Sequence, residues 1–351
     1  MSSPVELARA EIRALKAYEH AAWEPSLERM HANELPWSAS DDGTCAGLNR
    51  YPEPQPRALL ERLSRLYEVP PEYLLAGRGS DEAIDLLARA FCRAGTDAVV
   101  VCPPTFGMYA IAAAIQGAAV VRVPLGSEQE FALPEAGLLE HCSERVKLVF
   151  LCSPNNPTGN LLSEAGVLRL AAALSGRALL VVDEAYVEFA SQPSLARHVA
   201  RLSHLVVLRT LSKAHGLAAA RCGALIAAPE IVSLLRKIIP PYALTQPTIE
   251  TVLRQLEPRR LEQMRARVAA LCAERAFLAG ALRRCPGVAR VWPSEANFLL
   301  VEFEDAERAF AQARAAGLLV RDVRTQPQLQ RALRITVGTP EQNRRLVSAL
   351  Q

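Results

Sequence analysis

Several features are missing from this 351-residue chain, and each absence removes a class of protein. No apolar run reaches the roughly 18 residues that a membrane span needs. The first 18 residues are charged and helical in pattern, without the apolar centre of a secretory signal. Net charge is only +3, and lysines and arginines form no run, which argues against a nucleic-acid surface. None of the eight cysteines (Cys45, Cys92, Cys102, Cys142, Cys152, Cys222, Cys272 and Cys285) belongs to a C-x-x-C pair. Several lie inside apolar runs instead, so they read as buried free thiols in a reducing compartment. Lysine is scarce beside arginine, a compositional bias without functional meaning. There is no internal repeat and no low-complexity linker. A cytoplasmic protein with neither membrane nor nucleic acid as partner is the expectation.

What is present is ordinary for a globular chain: 50% apolar residues and 22% charged. At roughly 150 residues per domain the length suggests about two domains. Residues 5–18 read as an amphipathic arm, and Pro25, Pro36 and Trp37 mark an irregular stretch after it. Leu48-Asn49-Arg50-Tyr51-Pro52-Glu53-Pro54-Gln55-Pro56 is extended, because closely spaced prolines exclude helix for themselves and their predecessors. Short apolar runs at 99–102, 120–123, 147–152, 178–182, 205–208 and 223–227 then alternate with helical stretches. That alternation predicts a mainly parallel sheet covered on both faces. Beyond Pro240-Pro241-Tyr242 a long helical stretch, about 247–284, leads into an α+β pattern. Its strands fall near 298–301, 319 and 333–337, with helices at 306–316 and at the end. The expected organisation is an arm over 1–45, packing on the small domain or a partner subunit, then a large domain over 46–245 and a small domain over 246–351.

Polar residues collect just past the ends of the predicted strands, the edge where open α/β sheets bind ligands. Lys213 follows the strand at 205–208, with Thr210 and Ser212 beside it and Arg221 eight positions on. Alone it would be a loop lysine. Asn156, in Asn-Pro-Thr-Gly, reads equally well as a turn residue, and Asp183 as a helix cap or metal ligand. Gly77-Arg78-Gly79-Ser80-Asp81-Glu82 opens a helix in which Ala83, Ile84, Leu87, Ala88 and Phe91 recur at helical spacing. Ser80 reads as its N-cap, and Gly79 would let an anion approach the first-turn N–H groups. Together these residues match the needs of pyridoxal 5′-phosphate. An amine must condense with its aldehyde, and a carboxylate must face the pyridine nitrogen. Asn156 and Tyr186 can donate to the ring oxygen, and Phe106 or Tyr109 can cover the ring face. Arginine, hydroxyls and helix N–H groups suit the phosphate.

From about residue 33 to 338 the chain resembles the fold-type I pyridoxal-phosphate aminotransferases. Ser-Pro-Asn-Asn-Pro-Thr-Gly at 153–159, Val-Val-Asp-Glu-Ala-Tyr at 181–186 and Thr-Leu-Ser-Lys-Ala at 210–214, with Arg-Cys-Gly at 221–223, carry the likeness in that family's order and spacing. Within the family the chain is most similar to the histidinol-phosphate branch. Asn49-Arg50-Tyr51-Pro52, Arg78-Gly79-Ser80-Asp81-Glu82, Pro103-Pro104-Thr105-Phe106-Gly107-Met108-Tyr109 and Leu333-Arg334-Ile335-Thr336-Val337-Gly338 carry that closer match. The resemblance implies an α/β fold: a mainly parallel sheet flanked by helices in a large domain, plus a smaller α+β domain.

It also implies roles. Lys213 would be the Schiff-base lysine and proton carrier, Asp183 the partner of the pyridine nitrogen, and Asn156 with Tyr186 the binders of the ring oxygen. Phe106 would stack on the ring, in a position usually held by tyrosine. Gly79, Ser80, Asp81, Thr210, Ser212 and Arg221 would surround the cofactor phosphate; the family's usual Gly-Ala-Asp turn is Gly-Ser-Asp here. Tyr51 would reach from the partner subunit of a homodimer. Arg334 and Arg321, with Asn156, would bind the substrate's anionic end. No metal is expected, and His215 is given no role. The implied reaction converts L-histidinol phosphate and 2-oxoglutarate to imidazole-acetol phosphate and L-glutamate in histidine biosynthesis. A broad aromatic amino-acid aminotransferase and a threonine-phosphate decarboxylase of the same fold are the alternatives. A binding protein that kept the fold but lost catalysis would be expected to lose Lys213 or Asp183, and both are present.

Overall fold

The six apolar runs are strands, and a seventh that periodicity passes over, Leu74–Gly77, joins them in one sheet. The computed structural model describes residues 3–20, 23–24 and 26–351, so Pro25 of the irregular stretch lies outside it. In chain order the strands of this sheet are β1 (Leu74–Gly77), β2 (Ala98–Val101), β3 (Ala119–Arg122), β4 (Val146–Cys152), β5 (Leu179–Asp183), β6 (Leu205–Thr210) and β7 (Gly223–Ile226). They lie in the order β1-β7-β6-β5-β4-β2-β3. Neighbours from β6 across to β3 are parallel, while β7 runs antiparallel to both β6 and β1. Strand β1 lacks the β-branched residues that mark its neighbours, which is why sequence pattern alone does not reveal it.

The helices are α1 (Ala10–Ala14), α2 (Arg57–Tyr67), α3 (Ser80–Phe91), α4 (Met108–Gln116), α5 (Glu135–His141), α6 (Glu164–Leu174), α7 (Pro229–Arg236), α8 (Gln246–Gln255), α9 (Pro258–Leu282), α10 (Ala306–Ala315) and α11 (Pro340–Ala349). Side chains alternate across each central strand. Val100, Val149, Leu180 and Val207 enter one core, and Val99, Phe150, Val181 and Leu208 the other. Both faces of the sheet are therefore covered, as parallel sheets require.

The smaller sheet is antiparallel, in the order β10-β11-β9-β8, from β8 (Val288–Val291), β9 (Phe298–Phe303), β10 (Arg321–Asp322) and β11 (Ala332–Thr336). A separate core of α9, α10 and α11 packs on it. Leu319, expected in a strand, is 85% exposed, and the short strand begins two residues later. The long helical stretch is two helices, because Pro258 starts α9 and cannot continue α8. Ile249 and Val252 of α8 pack in the same core as Leu59, Val149 and Val207.

The arm also differs from expectation. Only Pro4–Leu7, as a 3-10 turn, and α1 are helical there. Ala8, Val5, Leu7 and Ile12 pack into the core beside α3 and α7, and the Arg9 amide donates to the Ala90 carbonyl. Within the chain, this part of the arm docks on the large domain rather than the small one. Helical spacing fixes which side chains share a face, not which surface that face meets. Among the described residues no helix is long and apolar enough to cross a membrane.

Candidate active site

Strands β4, β5 and β6 are neighbours, and their register brings their ends to one edge of the sheet: Cys152 lies beside Asp183, and Asp183 beside Leu208. The loops carrying Asn156, Tyr186 and Lys213 start there. Helix α3 arrives at the same place because Gly223 pairs with both Gly77 and Thr210. A Cβ at Gly223 would lie 2.7 Å from the Arg209 carbonyl oxygen and 2.8 Å from the Gly79 carbonyl carbon, so only glycine permits the approach. Every predicted site residue except Tyr51 lines one cavity of about 530 Å³ at this edge. Tyr51 lies elsewhere, stacked on Tyr242 with centroids 4.5 Å apart.

Asp183 is 2% exposed. Its Oδ2 accepts from the Tyr109 hydroxyl at 2.8 Å and its Oδ1 from the Ala185 amide at 3.1 Å. Burial pushes this carboxyl up to about 6, against the opposing pull of those hydrogen bonds and of Lys213. Lys213 sits on a loop tied by Leu211 N to Cys222 O at 3.0 Å, Leu217 N to Leu211 O at 3.1 Å and Gly216 N to Lys213 O at 3.1 Å. Its amine is held below the usual lysine range, first by partial burial and then by the Arg334 charge. It lies 5.6 Å from the ring centroid of Tyr186, a buried phenol set edge-on to Phe298.

One end of the cavity is built for an anion. The N-cap of α3 is Gly79, not Ser80: the backbone there has φ +83°, which glycine adopts without strain, and Ser80 is the first helical residue. No side chain caps this helix end. The Glu82 carboxylate turns back instead to the Arg78 amide at 2.7 Å and the Arg78 guanidinium at 2.5 Å. Arg221 Nη2 donates to Asp81 at 3.2 Å and lies 3.1 Å from where a Cβ on Gly79 would be. The Thr210 and Ser212 hydroxyls, 3.0 Å apart, complete the group. A helix N-terminus without a side-chain cap, a guanidinium and two hydroxyls are the donors a phosphate dianion requires, so the site fits pyridoxal 5′-phosphate.

A second cationic pair lines the same cavity. Antiparallel register places Arg321 directly across from Arg334. Arg334 Nη1 donates to Asn156 Oδ1 at 2.5 Å, while its buried Nε has no hydrogen-bond partner among the described residues. Like charges on facing strand positions repel, and an anion between them removes that cost. Burial and Arg321 both push Arg334 below its ordinary range.

The residue pattern offered Phe106 or Tyr109 for the ring face, and the resemblance assigned that place to Phe106. Phe106 lines the cavity, whereas Tyr109 is fully buried behind it, edge-on at 5.6 Å. Cys152 and Gln326 also line the cavity and were not singled out. Among the described residues no cluster suited to a metal ion occurs.

His215 is 4% exposed, and among the described residues neither ring nitrogen has a hydrogen-bond partner; Nε2 is 3.9 Å from Glu188, which also contacts Arg209 at 2.6 Å. Burial lowers its pKa, so its contribution to stability is present above the unfolded value near 6.5 and is lost as pH falls. A His215→Phe variant is expected to be as stable as wild type or more stable, by up to about 1–3 kcal/mol, the cost of an unpaired buried polar group. Denaturant midpoints should show that gap widening as pH falls below about 6.5.

A cavity with an amine, a buried carboxylate and a phosphate cradle at the C-terminal edge of a parallel sheet defines a pyridoxal-phosphate enzyme by its chemistry. The model for "Aminotransferase class I and II" matches residues 26–350, and the chain belongs to that family. It is 49% identical to the histidinol-phosphate aminotransferase of Stenotrophomonas maltophilia, over 98% of this chain and 95% of that one. It is 47% identical to the enzyme of the same name from Xylella fastidiosa, over 99% and 96%. A solved structure of histidinol-phosphate aminotransferase from Sinorhizobium meliloti, in complex with pyridoxal-5′-phosphate, superposes with a TM-score of 0.75 at 25% identity, covering 86% of this chain and 82% of that one.

Proposed function

We propose that this chain transfers the amino group of L-histidinol phosphate to 2-oxoglutarate, forming imidazole-acetol phosphate and L-glutamate in histidine biosynthesis. The observation that carries this reading is one cavity lined by Lys213 and Asp183, by the Gly79, Thr210, Ser212 and Arg221 phosphate cradle and by the facing arginines Arg321 and Arg334. When bound, pyridoxal 5′-phosphate supplies an aldehyde that condenses with amines and a ring that accepts the electron pair left when Cα loses its proton.

The chain's own residues do the rest. Arg221, the Thr210 and Ser212 hydroxyls and the first turn of α3, from Gly79 through Ser80 and Asp81, anchor the cofactor phosphate. Phe106 would cover the ring, Asp183 would hold the proton on its nitrogen, and Asn156 and Tyr186 would donate to its oxygen. Lys213 Nζ would be the amine that holds the cofactor and the group that carries the proton removed from Cα. Its lowered pKa favours the free amine that this step requires. Arg334 and Arg321 would bind the substrate's anionic end, a phosphate in one half-reaction and a carboxylate in the other.

The working unit is a homodimer. Leu15, Tyr18, Trp23, Leu27, Met30 and Trp37 are exposed along one N-terminal segment, an apolar surface that suits a partner subunit. Tyr51 follows that segment and would reach the partner's site. All eight cysteines are free thiols, which suits a cytoplasmic location.

The test is a single half-reaction on cofactor-loaded protein, followed by absorbance, with L-histidinol phosphate, L-phenylalanine and L-threonine phosphate added separately. Conversion should be fastest with histidinol phosphate. Arg334→Ala should lower kcat/KM for it by about a hundredfold or more, the value of two hydrogen bonds to a charged group. Phenylalanine reacting as fast would make this a general aromatic aminotransferase, and release of carbon dioxide from threonine phosphate would make it a decarboxylase.

A further inference from the structure

Resting on the reading of Asp183 given above, we infer that Tyr109 is its positioning residue: the buried phenol holds the carboxylate in the orientation in which it meets the cofactor's ring nitrogen. The tyrosine does not line the cavity, so it touches neither substrate nor reacting atoms. Its whole surface is buried, and its hydroxyl donates to Asp183 Oδ2 at 2.8 Å across 74 residues of sequence.

The surroundings leave the phenol one arrangement. Its ring stacks on Phe150, with centroids 5.0 Å apart and planes within 5°, and meets Phe106 edge-on at 82°. Phe150 and Cys152 point to the same face of β4, and Cys152 is registered beside Asp183. Tyr109 begins the second position of α4, so its backbone is fixed as well. A ring packed on these sides has no second rotamer without opening a void.

Two donors then define the carboxylate plane: the Tyr109 hydroxyl on Oδ2 and the Ala185 amide on Oδ1. Burial and the neighbouring Asp183 charge raise the phenol's pKa well above its ordinary value, so it remains a donor. The other charged or titratable groups facing Asp183 are Lys213, Asp81, Cys152 and Tyr186. None of these donates a hydrogen bond to its oxygens in this structure. A neutral donor favours the carboxylate over the carboxylic acid, the form that can hold a protonated pyridine nitrogen.

Tyr109→Phe removes the hydroxyl and keeps the ring. The protein would be loaded with pyridoxal 5′-phosphate carrying ¹⁵N in the ring, and the nitrogen shift followed by NMR between about pH 6 and 9. Wild type should stay protonated throughout. The variant should lose the proton within that range, and its half-reaction kcat with histidinol phosphate should fall about ten- to hundredfold, the worth of one hydrogen bond to a charged group, with KM near wild type. In an Asp183→Asn background the same change should have no further effect, because the tyrosine acts through the carboxylate. Equal losses in both backgrounds would mean a packing role and overturn the proposal. Should the phenylalanine variant fold poorly, 3-fluorotyrosine placed at position 109 makes a stronger donor of similar size and should lower the Asp183 pKa of the cofactor-free protein from about 6, read by ¹³C NMR of the labelled carboxyl; no shift overturns the proposal. A wild-type nitrogen already unprotonated overturns the reading of Asp183, and this inference with it. A protonated wild type and an unchanged variant overturn the role of Tyr109 alone.

Discussion

Replacing Lys213 by alanine is expected to lower the half-reaction rate by at least about 10²–10⁴-fold, the contribution of a positioned proton-transfer group, while leaving the fold intact. The two effects separate because of where the lysine sits. Its side chain opens into the cavity, and its amine makes no hydrogen bond among the described residues, only the 5.6 Å approach to the Tyr186 ring. Burial and the Arg334 charge already disfavour its cationic form, so removing it relieves a repulsion rather than breaking a support. The loop stays closed by the backbone bonds from Leu211, Gly216 and Leu217. Borohydride treatment of the loaded wild type should fix the cofactor on the peptide containing Lys213, and the alanine variant should show no such adduct by mass spectrometry. An adduct on another lysine, or a variant that still turns over near the wild-type rate, would sink the assignment.

For Asp183→Asn, activity and stability should move in opposite directions. The amide cannot carry the charge that in the proposed role would hold a proton on the pyridine nitrogen, and loss of such a fixed electrostatic partner costs about 10²–10³-fold in rate. Stability follows from the raised carboxyl, which moves from 3.8 to about 6 on folding. For an acid raised in the folded state, the favourable contribution is present below the unfolded pKa and disappears as pH rises through the folded one. Above about pH 6 the cofactor-free wild type therefore bears a buried carboxylate that the unfolded chain would ionise freely. At pH 8 the asparagine variant should be more stable than wild type, by on the order of 3 kcal/mol at most, and the difference should fade as pH drops towards about 4. Urea unfolding of the cofactor-free proteins at both pH values checks this. A variant less stable at pH 8 and still active would contradict both halves of the argument. Bound cofactor should narrow the gap, because its ring nitrogen would then sit against the carboxylate.

These two residues were legible because each follows directly on a strand whose β-branched, apolar run is visible in the sequence. A polar residue at such an end points to the ligand edge of the sheet whatever the rest of the chain does. The same logic pointed to Asn156, which follows β4, whereas Arg221 stands before β7 and was reached through the segment that begins at Lys213. It failed where geometry depends on a neighbour distant in sequence. Ser80 looked like a cap because serine usually is one, but the turn needs φ +83° at Gly79, and that residue takes the position. Residue pattern alone did not separate Tyr109 from Phe106, since both are aromatics of one loop-to-helix junction, and only the resemblance pointed to Phe106. The arm's apolar face was visible, but not that it would settle beside Ala90.

The sequence by itself determined the strand–helix alternation, the edge at which polar residues gather and the kind of chemistry those residues serve. Each of these depends on neighbours within a few positions, through backbone restriction and side-chain period. Only the tertiary structure decided that Arg321 faces Arg334 across two strands, that Arg334 reaches Asn156 over 178 residues, and that the Tyr109 hydroxyl ends on Asp183. Those pairings are set by strand order, register and the filling of two cores, which a linear pattern of polar and apolar residues does not specify.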